Sequence, residues 1–293
     1  MKVLICSDGH ARAENAIRFL ASTLAACAAD VTVLGIIEHP ADEASLAEAL
    51  RKQVQILRDK HVAVEIVTRT GQPIEEIKKR TTEQAFDFVV IGAERKNGGH
   101  FAMAAKVYHI VKTIDPPVLA VTGNRSELRR ILLCSGGRTY IDRAIKLTGL
   151  LAAKSQLAVT ILHVLAEPPA LYSDLIAREE DAAKLLASNS ALGRNLRSEK
   201  EALEALGVRP VIKLRHGMVA TEILNELEHG LYDLIVTGSA LAAGPVRSYI
   251  MGDVTSEILN RADCPVFVVR GGEPPPGFFA SIARLFGKTR TRS

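Results

Sequence analysis

The chain has 293 residues, 47% of them apolar, and a formal net charge of +4 at pH 7. This length predicts about two domains, and the apolar content is sufficient for two cores. No apolar run approaches the roughly 18 residues of a membrane span, and the start, Met1 to Cys6, leads into an apolar strand pattern and not a signal peptide, so we expect a cytoplasmic protein.

The distribution of the charged residues and cysteines excludes two further classes. Residues 278–293 hold four cations and no acid, so they carry the whole excess of +4. The remaining chain is neutral and lacks tryptophan, and we therefore expect no nucleic-acid partner. Cys6, Cys27, Cys134 and Cys264 lie in or beside apolar segments without CxxC spacing, and the histidines show no ligand spacing, so reduced thiols and no metal site are expected.

The first half alternates short apolar runs with amphipathic segments. Strands are predicted over residues 3–6, 30–37, 62–67, 88–91 and 118–121. Apolar residues spaced three and four apart predict helices after Gly9, over 42–59, after Pro73 and from about Ala102 to Thr113. This alternation is typical of an α/β fold with a parallel, doubly wound sheet.

The pattern restarts after residues 122–126, a polar and turn-rich segment typical of a linker. Residues 3–9 align with residues 131–137, which lie 128 positions later, and Asp87 aligns with Asp233, 146 positions later. Because several independent landmarks keep one register, the sequence indicates an internal duplication. We expect two similar domains, residues 1–124 and residues 125–272.

The second half is longer than the first. Since the offset grows from 128 to 146 positions, 18 extra residues enter it, and we place them within residues 171–206. Scattered apolar residues there predict one long or broken helix, with Gly193 as the candidate break. A longer covering helix and a partner-docking arm both explain the insert.

The tail, residues 273–293, follows a proline-rich break and combines an apolar face with basic residues. It predicts a basic amphipathic helix. Such a helix packs back on its own domain, docks to a protein partner or lies on an anionic membrane surface, and the sequence leaves these three alternatives open.

Each half resembles a universal stress protein domain, and the whole chain resembles the tandem form of that family. The resemblance rests on Asp8-Gly9 after the first strand and on residues 217–224, 233–239 and 264–269, the last beginning Cys-Pro-Val. It implies a five-stranded parallel sheet flanked by helices in each half. It also implies that the halves pair through their last strands as an intramolecular pseudo-dimer, with further association into a homodimer left open.

The resemblance implies a nucleotide site in each half, with ATP or AMP as the ligand. ATP-binding members share the loop Gly-x2-Gly-x9-Gly-Ser and an acid after the first strand, and glycines let backbone N–H groups close around phosphates. The matching candidate binding residues are Asp8, Gly92 and Gly98 in the first half, and Gly136, Gly238, Gly244, Gly252 and Asp253 in the second.

Neither half carries the full set of these residues. Arg95 and Ala105 stand at glycine positions of the first half, and Leu241 does so in the second. Gly136 stands where the acid is expected, and Asp253 replaces the hydroxyl residue, so its carboxylate competes with a phosphate at the helix start. The alternative interpretation is that the glycines serve strand-to-loop geometry without a ligand.

These observations predict a non-catalytic regulatory or protective module of the stress response that binds an adenine nucleotide. One alternative is a protein-interaction scaffold with degenerate nucleotide sites. Another is a weak ATP-hydrolysing enzyme, which needs a base, a metal-holding carboxylate and a complete loop. For that chemistry the chain offers Asp8 and Asp253 without an evident pairing, so we expect no catalytic residues.

Overall fold

The structure is a computed structural model that describes residues 1–93, 102–136, 142–165, 182–239 and 253–270. The predictions for Gly98, Gly244, Gly252, residues 171–181 and the tail, residues 273–293, lie outside the described residues.

Strands and helices alternate along the first half, as the sequence predicts. The strands are β1 (Lys2–Ser7), β2 (Asp30–Ile37), β3 (Ala63–Thr70), β4 (Phe88–Ala93) and β5 (Val118–Thr122). The helices are α1 (Ala11–Ala26), α2 (Glu43–Arg58), α3 (Pro73–Glu83) and α4 (Ala102–Thr113). The apolar stripe of α1 is buried from Ala13 to Leu24, which confirms the helical spacing that predicted it.

Over the described residues, the second half repeats this order with one additional α-helix. The strands are β6 (Arg130–Ser135), β7 (Ala158–Leu165), β8 (Val211–His216), β9 (Leu234–Ser239) and β10 (Val266–Arg270). The helices are α5 (Asp142–Ser155), α6 (Ala182–Ala187), α7 (Ala191–Ala205), α8 (Val219–Gly230) and α9 (Asp253–Arg261). In the described part of the chain, no helix has the length and apolarity that crossing a bilayer requires.

The predicted insert contains a broken helix, but the break is not at Gly193. The chain leaves the helical conformation between α6 and α7, and Ser190 caps α7 by accepting a hydrogen bond from Gly193 N over 3.0 Å. A serine hydroxyl at this position satisfies a free N–H group, so the serine is the start signal. Gly193 lies inside α7, and a Cβ there would come within 2.7 Å of Ser188 Oγ and closer still to the carbonyl of Leu185, so the turn from α6 onto α7 requires glycine at this position.

The ten strands form a single continuous sheet in the order β3-β2-β1-β4-β5-β10-β9-β6-β7-β8. Within each half all neighbouring strands are parallel, which gives two five-stranded parallel sheets. The halves meet where β5 and β10 pair antiparallel, with Leu119 opposite Phe267. This pairing agrees with the pseudo-dimer that the resemblance implied, and it covers one edge of each sheet.

The core of each sheet face continues from one half into the other. Phe88 on β4 and Phe267 on β10 are completely buried, and their rings meet edge to face with centroids 5.3 Å apart. Such aromatic pairs add to the free energy gained by burying the rings. The two halves therefore share a hydrophobic core, and β5 and β10 lie in its middle.

The internal duplication is visible in matching hydrogen bonds. Asp87 Oδ2 accepts a hydrogen bond from Lys2 N over 2.7 Å, and Asp233 Oδ2 accepts one from Arg130 N over 2.9 Å. In both halves this carboxylate satisfies the N–H group at the start of the first strand, which has no strand partner there. Asp87 and Asp233 therefore have the same structural role, as their alignment predicted.

The linker between the halves is held against the second half. Arg125 Nη1 donates to Asp233 Oδ1 over 3.3 Å and to the carbonyl of Tyr232 over 3.2 Å. The same guanidinium lies 3.9 Å from the Asp263 carboxylate. These contacts fix the linker next to the first residues of β6 and β9.

Candidate functional site

Each half has a topological switch point at the carboxyl end of its sheet, where the direction of winding changes, and we call this place the crevice of that half. In the strand order 3-2-1-4-5 the change falls between β1 and β4, and in the second half it falls between β6 and β9. Ligands of doubly wound proteins bind outside the carboxyl ends of the strands at this switch point. Asp8 and Gly92 lie at the first crevice, and Gly136 and Gly238 lie at the second.

The turn after β1 is held by buried polar contacts. Ser7 Oγ donates to Gln53 Oε1 over 2.7 Å, and it also accepts a hydrogen bond from Gly9 N over 3.0 Å. Gln53 Nε2 donates to the carbonyl of His10 over 3.4 Å. Gly9 has a φ of 80°, a left-handed conformation that glycine adopts without steric cost. Helix α2, which carries Gln53, therefore positions the loop that carries Asp8.

The carboxylate of Asp8 is already engaged within the chain. Arg12 Nε donates to Asp8 Oδ2 over 2.8 Å, the second Arg12 donor contacts the same oxygen, and His10 N donates to Asp8 Oδ1 over 3.1 Å. Burial opposes the charge, but these hydrogen bonds outweigh it and hold the pKa of Asp8 below its usual value. A ligand that takes the carboxylate of Asp8 must therefore compete with Arg12.

Gly92 is required by packing. A Cβ at this position would lie 2.7 Å from Ala13 N and closer still to the backbone carbonyl of Arg12. The first turn of α1 therefore rests directly on β4, and only glycine leaves room for it. At the first crevice, the packing of α1 on β4 therefore accounts for the glycine without a ligand.

Gly238 aligns with Gly92 and lies near the end of β9. Gly238 lies opposite Val269 on β10, and the preceding Thr237 lies opposite Cys134 on β6. A Cβ built on Gly238 meets no atom of the described residues within 4 Å. The residues that align with Arg12 and Ala13, which are Tyr140 and Ile141, lie outside the described residues.

The end of β6 carries a buried polar cluster that the sequence did not reveal as part of the crevice. Ser135 Oγ donates to Glu199 Oε1 on α7 over 2.8 Å, and the carbonyl of Ser135 lies 2.9 Å from His163 Nδ1. Burial lowers the pKa of His163 despite this hydrogen bond. Burial raises the pKa of Glu199 to about 7, and the nearby charge of Asp142 adds to the shift.

The remaining predicted residues are placed as follows. Gly136 is exposed directly after Ser135, and Asp253 is the first residue of α9, which confirms that a helix starts there. Arg12, Gln53 and Glu199 were missed. Arg12 lies four positions after Asp8, the spacing at which a helical acid and base meet, so this signal was available in the sequence.

Metal binding and thiol chemistry find no support in the described residues. No group of three potential metal ligands occurs within them. The four cysteines are free, and burial raises the pKa of Cys6 to about 12 and that of Cys27 to about 11. Thiols with such pKa values are protonated and unreactive at neutral pH.

Comparison with protein families gives a match for both halves of the chain. A model of the universal stress protein family matches residues 1–122 and residues 127–270. A search among curated proteins found no match.

Solved structures match over one half or over nearly the whole chain. A universal stress protein from Archaeoglobus fulgidus is 19% identical with a TM-score of 0.67, and the match covers 92% of this chain and 98% of that one. A functionally unknown protein from Pseudomonas aeruginosa is 12% identical with a TM-score of 0.64, covering 97% and 95%. A universal stress protein solved in complex with cAMP is 16% identical with a TM-score of 0.37, covering 50% and 98%.

Proposed function

The chain belongs to the universal stress protein family as a tandem of two such domains, and we propose that it is a non-catalytic, cytoplasmic stress-response module that binds an adenine nucleotide in its second half. In this proposal the nucleotide lies at the crevice between β6 and β9. The protein holds the ligand without converting it, and its two halves differ in function.

The observation that carries this proposal is the packing that fills the first crevice from within the chain. At Gly92 the backbone of Arg12 and Ala13 occupies the space above the glycine. A phosphate can approach backbone N–H groups only where the main chain is uncovered. This packing disfavours phosphate binding at the first crevice, and we therefore assign the nucleotide to the second half.

The state of Asp8 supports the same assignment. The carboxylate that the resemblance implies for adenosine binding is bonded to Arg12, so binding there costs an ion pair. The second half has Gly136 at the equivalent position and loses no such contact. Because α9 begins at Asp253, we expect the phosphates to avoid that helix start and to interact with residues nearer the end of β9.

The test is thermal unfolding of the full chain in millimolar ATP, AMP and cAMP, with and without magnesium. A ligand that binds only the folded state raises the unfolding temperature, and we expect such a rise for the wild type. Gly238→Val should abolish the rise because its side chain fills the crevice. Ala63→Val also creates a valine side chain, at an exposed position on β3 far from the crevice, and should keep the rise.

The alternatives give different results in the same experiment. No rise with any nucleotide would overturn the proposal and favour a scaffold that binds another protein through the insert or the tail. Release of phosphate from ATP at a rate that Gly238→Val removes would favour the weak hydrolase.

A further inference from the structure

At one equivalent position, the first half has a glutamine side chain and the second half has a glutamate side chain. Ser7 Oγ donates to the amide oxygen of Gln53 over 2.7 Å, and Ser135 Oγ donates to a carboxyl oxygen of Glu199 over 2.8 Å. The serines align at the offset of the first strands, and Gln53 aligns with Glu199 at the offset of the later elements. Helix α7 thus contacts the end of β6 as α2 contacts the end of β1.

The second polar atom of each side chain shows the chemical consequence. Gln53 Nε2 donates a hydrogen bond to the carbonyl of His10 over 3.4 Å. Its counterpart, Glu199 Oε2, is buried and has no hydrogen-bond partner within the described part of the chain. A carboxylate oxygen can only accept hydrogen bonds, whereas a protonated carboxyl group donates one, as the glutamine amide does.

The surroundings of Glu199 oppose a negative charge. The side chain is 4% exposed, and an ionised carboxyl group without a cationic partner is unfavourable in such a position. Asp142 from α5 adds a repulsive charge, and burial lowers the pKa of His163 from β7, bonded to the same serine, which disfavours a compensating positive charge there. Lys184 from α6 is exposed, and Lys200 from α7 pairs with Glu204 over 3.6 Å.

We propose that Glu199 is a neutral carboxylic acid in the folded protein and acts as a proton-sensitive latch that holds α7 to the end of β6. With its proton, Glu199 has the same donor and acceptor pattern as Gln53. Without it, Ser135 still donates to the carboxylate, but the cost of burying the negative charge destabilises the packing of α7 on the end of β6, directly before Gly136. The latch does not depend on whether a nucleotide binds.

The direction of the pH effect follows from the raised pKa. Burial raises the pKa of Glu199 to about 7 from its ordinary value of 4.5, so the folded state holds this proton more tightly than the unfolded state does. The stabilising effect is fully present below the ordinary value, and it is lost as the pH rises through about 7.

The test compares urea unfolding of the wild type and Glu199→Gln at pH 5 and pH 8. We expect the ratio of their unfolding equilibrium constants to change on the order of 100-fold between these pH values, with the variant relatively more stable at pH 8. Glu201→Gln changes an exposed acid on the same helix. The ratio of its unfolding equilibrium constant to that of the wild type should be the same at both pH values. Equal pH profiles for the wild type and Glu199→Gln would overturn the proposal.

Two further measurements do not depend on that variant. Gln53→Glu places the same carboxyl group in the first half, and we expect it to introduce a loss of stability above neutral pH. NMR titration of the wild-type glutamate side chains should show the Glu199 carboxyl carbon titrating near pH 7. A titration near pH 4.5, the value of an ordinary glutamate, contradicts the latch directly.

Discussion

The amide nitrogen of Ala13 lies 2.7 Å from the position that a Cβ atom on Gly92 would occupy. Gly92→Ala should therefore force α1 away from β4, and we expect a loss of about 1–3 kcal/mol in the free energy of unfolding. Urea unfolding of the variant and the wild type checks this, and an unchanged free energy of unfolding would show that α1 does not rest on β4 at this glycine.

The ion pair between Arg12 and Asp8 predicts that the pKa of Asp8 changes when Arg12 is replaced. Arg12→Gln should move the pKa of Asp8 up toward its usual value, because the strongest donor to its carboxylate is lost. Since a lowered pKa stabilises the fold above the ordinary value, that contribution decreases as the pH falls through the folded-state pKa. Both side chains are about one-third exposed, so the change in stability should stay below about 1 kcal/mol.

NMR titration of the Asp8 side chain measures this shift directly. Arg18→Gln, at an exposed ion pair with Glu14 on the same helix, serves as the control and should leave Asp8 unchanged. An Asp8 titration that is the same with and without Arg12 would mean that the pair does not form in solution.

Removal of the Glu226 carboxylate should cause a large loss of stability. This carboxylate is 2% exposed and accepts hydrogen bonds from Lys213 Nζ over 2.7 Å, Arg215 Nε over 2.8 Å and Tyr232 Oη over 2.7 Å. Glu226→Ala leaves these donors without their partner and should cost about 3–5 kcal/mol. Urea unfolding measures the loss, and Glu228→Gln, an exposed acid on the same helix, should have little effect.

The pH dependence of stability at acidic pH gives a second test of the role of Glu226. Burial opposes its charge, but the hydrogen bonds from Lys213, Tyr232 and Arg215 outweigh burial and lower its pKa. Wild-type stability should therefore fall as the pH decreases through this pKa, and Glu226→Ala should lose that part of the slope. An unchanged acid slope would contradict the assignment.

The ring pair of Phe88 and Phe267 predicts that the halves unfold together. Phe267→Ala removes a fully buried ring from the shared core and should cost about 3–5 kcal/mol. Because β5 and β10 form the joint between the halves, the variant should also separate one unfolding transition into two. Calorimetry that shows two transitions already in the wild type would contradict a shared core.

The fold could be predicted from the sequence because it depends on local patterns. The apolar runs at 88–91 and 118–121 are too short and too apolar for surface helices, and they form β4 and β5. The pairing of Val118 with Val268 agrees with what the family resemblance implied. Gly193 as the candidate break of the insert helix is wrong. A serine cap such as Ser190 indicates a helix start more strongly than a glycine indicates a helix break.

The crevices could be predicted only in part. Alignment found Gly92 and Gly238 as equivalents, but it could not show that the backbone at Ala13 packs directly on Gly92. The contact of Glu199 with Ser135 was not predicted from the sequence. Its helix lies in the longer half, and the alignment of Glu199 with Gln53 depends on where the insert enters that half. Such contacts depend on how helices pack on the sheet, and apolar spacing does not determine that.

The central claim is that this tandem protein holds one adenine nucleotide per chain, in its second half. Isothermal titration calorimetry of the full chain with ATP and AMP measures the number of sites directly. The account predicts one site in the wild type, one site in Asp8→Asn and none in Gly238→Val. Two sites in the wild type, or a single site that disappears in Asp8→Asn and persists in Gly238→Val, would contradict it.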